Sequence, residues 1–129
     1  MNDRTDRYLL INKPVGIPVP GGKKIDEYVG QVNTNTDSVS VARMEAPPGW
    51  SEPVQQPAFD ELTILLEGRL RVIIGGKTVT MSAGQVLMVN RGMRVQYENP
   101  YDKMAIYWAI CMPAFTPDRA GREPGKRTE

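Results

Sequence analysis

Histidine is absent from these 129 residues, and cysteine occurs once, at position 111. Those two facts settle much of the available chemistry before any fold is considered. Ser-His-Asp and Cys-His hydrolysis, two-His-one-carboxylate iron sites and His-based zinc sites each need a side chain that is missing. A lone Cys111 excludes an intramolecular disulfide and every thiolate-cluster metal site. Proton transfer therefore falls to Glu, Asp, Tyr, Lys or Cys, and a metal would have to accept all-oxygen ligands. Two short runs bring such groups together. Over Met104–Met112 the two-residue side-chain period of a strand sets Tyr107, Ala109 and Cys111 on one face, with Ile106, Trp108 and Ile110 on the other. With the first face inward, a phenol and a thiol share an interior. The alternative is core packing, with the Tyr107 hydroxyl satisfied by backbone and Cys111 acting as a small hydrophobe. Arg43 and Glu45 share a face with Val41. They either hold a polar or anionic ligand or sit exposed at a rim.

The elements that must carry these residues are strands. Ser38–Ala46 alternates, and Leu62–Leu66 is a β-rich run closed by Glu67-Gly68. Leu70, Val72 and Ile74 lead to a Gly75-Gly76 hairpin signal, with Val79 and Met81 on the return. Val86–Val89, Val95 with Tyr97, and Met104–Met112 complete the set, separated by Ala83-Gly84, Arg91-Gly92 and Asn99-Pro100. No segment sustains a 3.6-residue apolar period long enough for a substantial helix. Short strands at this spacing predict an all-β sandwich or barrel. One domain of 1–129 is expected, with 38–115 as the barrel and 8–37 as an N-terminal strand and arm. Residues 1–7 are expected to be loosely ordered, and 116–129 loosely ordered or wrapped over a surface. Pro14, Pro18 and Pro20 keep the arm extended.

Sixteen Lys and Arg stand against fifteen Asp and Glu. That balance lacks the basic excess that nucleic-acid binding requires, so no nucleic-acid partner is expected. No apolar run reaches a membrane span, and the first residues lack a signal-peptide core. A cytoplasmic protein without a membrane partner is the expectation.

Glu61 and Gly68 bracket six residues in Phe59-Asp60-Glu61-Leu62-Thr63-Ile64-Leu65-Leu66-Glu67-Gly68, after a Pro47-Pro48-Gly49-Trp50 turn. Gly84, Gly92 and Asn99 follow at offsets that match a second motif. Together these resemble the two motifs of the cupin superfamily, the RmlC-like double-stranded β-helix barrels, over about Pro48 to Pro113. Within it, residues 52–61 and 107–115 look most like small cupins related to the ethanolamine-utilisation protein EutQ. The resemblance implies that Glu61 points into the barrel. Where metal cupins carry His-x-His, this chain offers Gln55 and Pro57, or Val54 and Gln56; where the second motif has its His, it has Val95. One carboxylate and one amide make a poor transition-metal trap, so no metal and no other cofactor is expected.

A carboxylate among apolar strands without a cation should titrate near neutrality, which suits Glu61 to general acid or base work. Its alternative is an ion pair with an Arg such as Arg43. Only one of Gln55 and Gln56 can face inward, where an amide could orient a substrate. Tyr97 shares a face with Val95 and is a cavity-wall candidate. The expected function is a metal-independent acid–base enzyme of isomerase, cyclase or lyase type on a small polar metabolite, using Glu61 and Tyr107. The ligand contacts would come from Gln55, Gln56, Arg43, Glu45, Tyr97, Val95 and Cys111. A non-catalytic ligand-binding or assembly module is the alternative. A homodimer is expected through an apolar outer sheet face, with the proline-rich arm contributing.

Overall fold

The structure, a computed structural model, describes residues 3, 4 and 7–123. Among the described residues the strands run β1 (Asp3–Arg4), β2 (Leu9–Leu10), β3 (Val15–Gly16), β4 (Lys24–Val29), β5 (Ser40–Ala46), β6 (Asp60–Glu67), β7 (Arg69–Ile74), β8 (Lys77–Ser82), β9 (Val86–Val89), β10 (Val95–Glu98) and β11 (Ala105–Met112). A six-stranded antiparallel sheet has the order β3-β4-β5-β11-β6-β9, and a three-stranded sheet the order β10-β7-β8. β1 and β2 pair as a separate ribbon. The architecture is all-β.

Alternation of side chains decides which residues enter the space between the sheets. β11 turns Ala105, Tyr107, Ala109 and Cys111 inward, each at most 4% exposed. β5 contributes Ala46 and β6 contributes Leu65 to the same interior, while Leu70, Val72, Met81, Val95 and Tyr97 come from the smaller sheet. The apolar packing concentrates at the end of the barrel near Ala105. Toward Cys111 and Ser40 the inward side chains become small or polar, and space opens.

Two turns need glycine. Gly68 joins β6 to β7 at φ +78°, and a Cβ there would meet the Met104 carbonyl oxygen at 2.4 Å. The seven-residue spacing from Glu61 to Gly68 thus marks a full strand followed by a turn no side chain can enter. Gly121 (φ +62°) ends a short helix, α1 (Pro117–Ala120), and a Cβ there would lie 2.3 Å from the Gln56 carbonyl oxygen.

Both ends run back over the barrel. The tail is ordered through residue 123: Thr116 caps α1, the Gln56 amide donates to the Gly121 carbonyl at 3.0 Å, and the Glu123 amide donates to the Val54 carbonyl at 2.9 Å. Backbone pairing with the 54–56 segment supplies the hydrogen bonds that composition alone did not reveal. Residues 124–129 lie outside the described set. At the other end, Lys24–Val29 forms a strand of the main sheet, within the stretch 8–37 expected to hold an N-terminal strand and an arm. The proline-rich segment folds back as well: the Ile17 amide donates to the Ile25 carbonyl at 2.9 Å, and Ile17, Pro18 and Val19 form cavity wall. The arm therefore covers the barrel's own interior rather than standing away from it.

Candidate functional site: a charged cavity inside the barrel

Between the sheets lies a cavity of about 190 Å³. The register of the main sheet builds its floor. Cys111 sits between Ser40 and Glu61 as cross-strand neighbours, and Ala109 between Ala42 and Thr63. Four of these six residues are Ala, Ser or Cys, and their small side chains leave the volume unfilled. The opposite wall comes from Tyr97 on β10 and from residues 50–55, which pair with β10 through the Glu52 and Gln55 amides donating to the Tyr97 and Val95 carbonyls.

Glu61 is the centre of the polar contacts. The Tyr97 hydroxyl donates to Glu61 Oε1 at 3.5 Å, and the Cys111 thiol donates to Oε2 at 3.8 Å. Thr63 Oγ1 donates in turn to the Tyr97 oxygen at 3.3 Å. Burial first, and then the nearby Glu52 charge, push the Glu61 carboxyl up to about 7, against the opposing pull of Lys23 and its two donors. Burial also raises the Tyr97 and Tyr107 phenols and the Cys111 thiol, so these remain protonated donors at neutral pH.

A second charged group faces this one. Lys23 has only 7% of its side chain exposed. Its Nζ lies 4.0 Å from Glu52 Oε1, 4.1 Å above the Trp50 ring centre and 5.2 Å from that of Tyr107. Burial lowers the Lys23 ammonium and raises the Glu52 carboxyl, each partly offset by the other's charge. Gln55 Nε2 donates to Glu52 Oε2 at 2.6 Å, fixing that carboxylate. Arg122, exposed on the tail, adds a cation to the cavity lining.

Among the residues singled out from the sequence, Glu61, Gln55, Tyr97, Tyr107 and Cys111 line this cavity. Val95 is buried in the adjoining core at 1% exposure and is not among the lining residues. Gln56 points away, its Nε2 donating to the Gly92 carbonyl at 3.0 Å. Arg43 and Glu45 lie on the outer face of β5, paired to each other at 2.7 Å. Strand alternation puts Ser40, Ala42 and Met44 inside, which forces the two charges out. Arg43 is therefore no partner for Glu61. Sequence reasoning missed Lys23, Glu52 and Arg122, because each sits in a segment that reads as loop. The signal for Lys23 was its place two residues before Ile25, which shares its inward face on the entry to β4. Glu27 was also missed. It is 2% exposed, and its carboxylate accepts the Val32 and Asn33 amides at 2.9 and 2.8 Å, holding the 30–33 loop.

The donor set does not fit a transition metal. The cavity wall offers an amide from Gln55 and no imidazole, and among the described residues no three His, Cys, Asp or Glu cluster as ligands. The Lys23 ammonium inside the same cavity would further oppose a dication.

Residues 42–112 match the Cupin domain family. Endoribonuclease YbeY of Myxococcus xanthus (strain DK1622) is 51% identical over 110 residues, which are 85% of this chain and 37% of that protein. The chain thus spans little more than a third of that relative's length. Among solved structures, EutQ of Salmonella typhimurium LT2 superposes with a TM-score of 0.62 at 22% identity, covering 74% of this chain and 73% of that one. KdgF from Halomonas sp. gives 0.67 at 12% identity, covering 78% and 89%. A single-substitution variant of the Bacillus subtilis oxalate decarboxylase gives 0.71 at 14% identity, covering 84% of this chain and 30% of that one. At these identities the structural likeness speaks to the fold.

Proposed function

This chain belongs to the cupin family, and on that premise we propose that its barrel interior is a metal-independent acid–base site for a small polar metabolite. One observation carries the reading: a carboxyl group titrating at about 7 sits on the wall of a cavity with room for a ligand. Such a group holds a proton about half the time at neutral pH, so it can both take and return one. Proton abstraction beside a carbonyl, as in isomerisation, enolisation or elimination, needs little more. Glu61 would remove the proton from carbon, a Tyr107 or Tyr97 hydroxyl would donate to the oxyanion that develops, and Gln55 would orient the substrate.

The non-catalytic alternative would be favoured by an interior plugged with Met and Leu. The cluster of Lys23, Glu52 and Glu61 set into the cavity wall supports the enzyme instead. The ribonuclease named for the bacterial relative is not assigned to this segment, which matches 37% of that protein and lacks an overall basic excess. We place the protein in a reducing cytoplasmic setting, in keeping with its single free thiol. We also propose a two-fold homodimer, supported by the apolar outer face of the six-stranded sheet.

The test is turnover of a panel of small polar carbonyl compounds, with elemental analysis of the same protein. Activity that survives chelation and falls at least ~100-fold in Glu61→Gln is expected. Near one iron, nickel, manganese or zinc per chain, or undiminished activity in Glu61→Gln, would overturn the proposal.

A further inference from the structure

Lysine is seldom enclosed this completely. An ammonium normally keeps its head in water while its stem covers apolar surface. Lys23 does the reverse, with its Nζ inside the cavity over the Trp50 and Tyr107 rings and one carboxylate at the outer limit of ion-pair distance. A merely structural role would pair it closely and hydrogen-bond it, because a buried ammonium gives up its hydration. The arrangement instead leaves a lysine on the wall of the cavity, with two carboxyl groups near enough for their charges to act on it.

We propose that Lys23 is a nucleophile that forms an imine with a small carbonyl compound bearing a carboxylate, whose negative charge is met by Arg122. The inference rests on the acid–base reading of this cavity and names its substrate class. The neutral amine's lone pair forms the C–N bond while the carbonyl π pair moves to oxygen. That oxygen takes up the proton that nitrogen sheds, relayed by the Glu52 carboxylate, giving a neutral carbinolamine. The C–O bond then breaks with its electrons on oxygen, which takes the Glu61 proton and leaves as water. The nitrogen lone pair closes the C=N bond. The products are a protonated imine, one water and a Glu61 carboxylate.

Three features support this assignment. Burial lowers the Lys23 ammonium against the opposing charges of Glu52 and Glu61, with a smaller contribution from Arg122. At neutral pH the neutral amine fraction rises about tenfold for each pH unit by which that titration moves down. A volume near 190 Å³ is enough for a compound of a few carbons. The remaining cavity wall includes Ile17, Val19, Ile25 and Phe59, so water leaving the carbinolamine departs from a largely apolar enclosure.

Reductive trapping of the full chain tests it. Glyoxylate and, separately, uncharged propanal are added with cyanoborohydride, and adducts are located by peptide mass spectrometry. Lys23 is expected to be modified by glyoxylate at least about tenfold faster than exposed Lys77. Lys23→Arg, which keeps the charge beside Glu52, should abolish that fast adduct. Arg122→Gln, at an exposed position, should remove the preference for glyoxylate over propanal. Adducts spread evenly over surface amines, or a fast adduct persisting in Lys23→Arg, overturn the proposal. So does an Arg122→Gln variant with its preference intact, as regards the carboxylate. Trapping needs no turnover, which separates the two readings. A Lys23 adduct without catalysis upholds the lysine and counts against the acid–base enzyme. Catalysis without an adduct does the opposite.

Discussion

Glu61 holds its proton in the folded protein to about pH 7, whereas an unfolded Glu releases it near 4.5. Between those values the unfolded chain binds fewer protons than the folded one, so this group's contribution makes stability fall as pH rises from about 4.5 to 7 and then level off. Glu61→Gln removes that dependence. At about pH 8 it should be neutral or stabilising by roughly 1–3 kcal/mol, and at about pH 4 nearly silent. Urea unfolding at the two pH values measures the difference, and a variant equally destabilised at both would identify Glu61 as a structural partner. The position of this carboxyl was legible from its seven-residue spacing to Gly68. Its electrostatic company was not. Lys23, Glu52 and Arg122 converge from the entry to β4, from the irregular segment before β6 and from the tail, separations that no local pattern encodes. Tyr97, Tyr107 and Cys111 follow from period two alone, once one inward residue of each strand is fixed.

At the scale of elements, the cavity exists because β5 and β11 present Ala42 and Ala109 at one level of the sheet. Enlarging one of them should fill the cavity while leaving the strand pairing intact. Ala42→Leu should therefore keep its unfolding free energy within about 1 kcal/mol of the parent while abolishing capture of small ligands, read by calorimetry or by the Lys23 trap. A loss of several kcal/mol would mean that the space is smaller or more rigid than the geometry indicates. Most of the strands were readable from alternation and glycine turns. Lys24–Val29 was not, because Lys24, Asp26 and Glu27 make it look polar. Asp26 lies near the Lys24 ammonium (3.6 Å), and Glu27 is consumed by backbone amides of the following loop, so both are accommodated in a central strand. In the tail, composition left loose order and wrapping over a surface as alternatives. Proline, glycine and charge suggest disorder, but Pro117 opens α1 and Gly121 ends it, so both residues serve order here.

For the whole molecule, the outer face of the large sheet is the unfinished surface. Trp108, Ile64 and Val86 form one cross-strand row and Ile110, Leu62 and Met88 the next, with Val86 57% and Met88 66% exposed. Contiguous apolar rows on an edge of this kind are covered in stable proteins. A second copy, meeting the first about a two-fold axis, would cover them, with the Arg43–Glu45 pair at the polar margin. Light scattering should give about twice 14.4 kDa, and Met88→Lys should return the mass to that of one chain. A monomer in the parent at micromolar concentration would refute the dimer. The chain's two tryptophans fall on opposite sides of this design. Trp50 lies beneath the Lys23 ammonium in the interior, while Trp108 packs on Tyr28 at 5.3 Å on the outer face. Their fluorescence separates two events without added dye. In Trp108→Phe the remaining emission should respond to a ligand that reaches Lys23, and in Trp50→Phe it should respond to dilution.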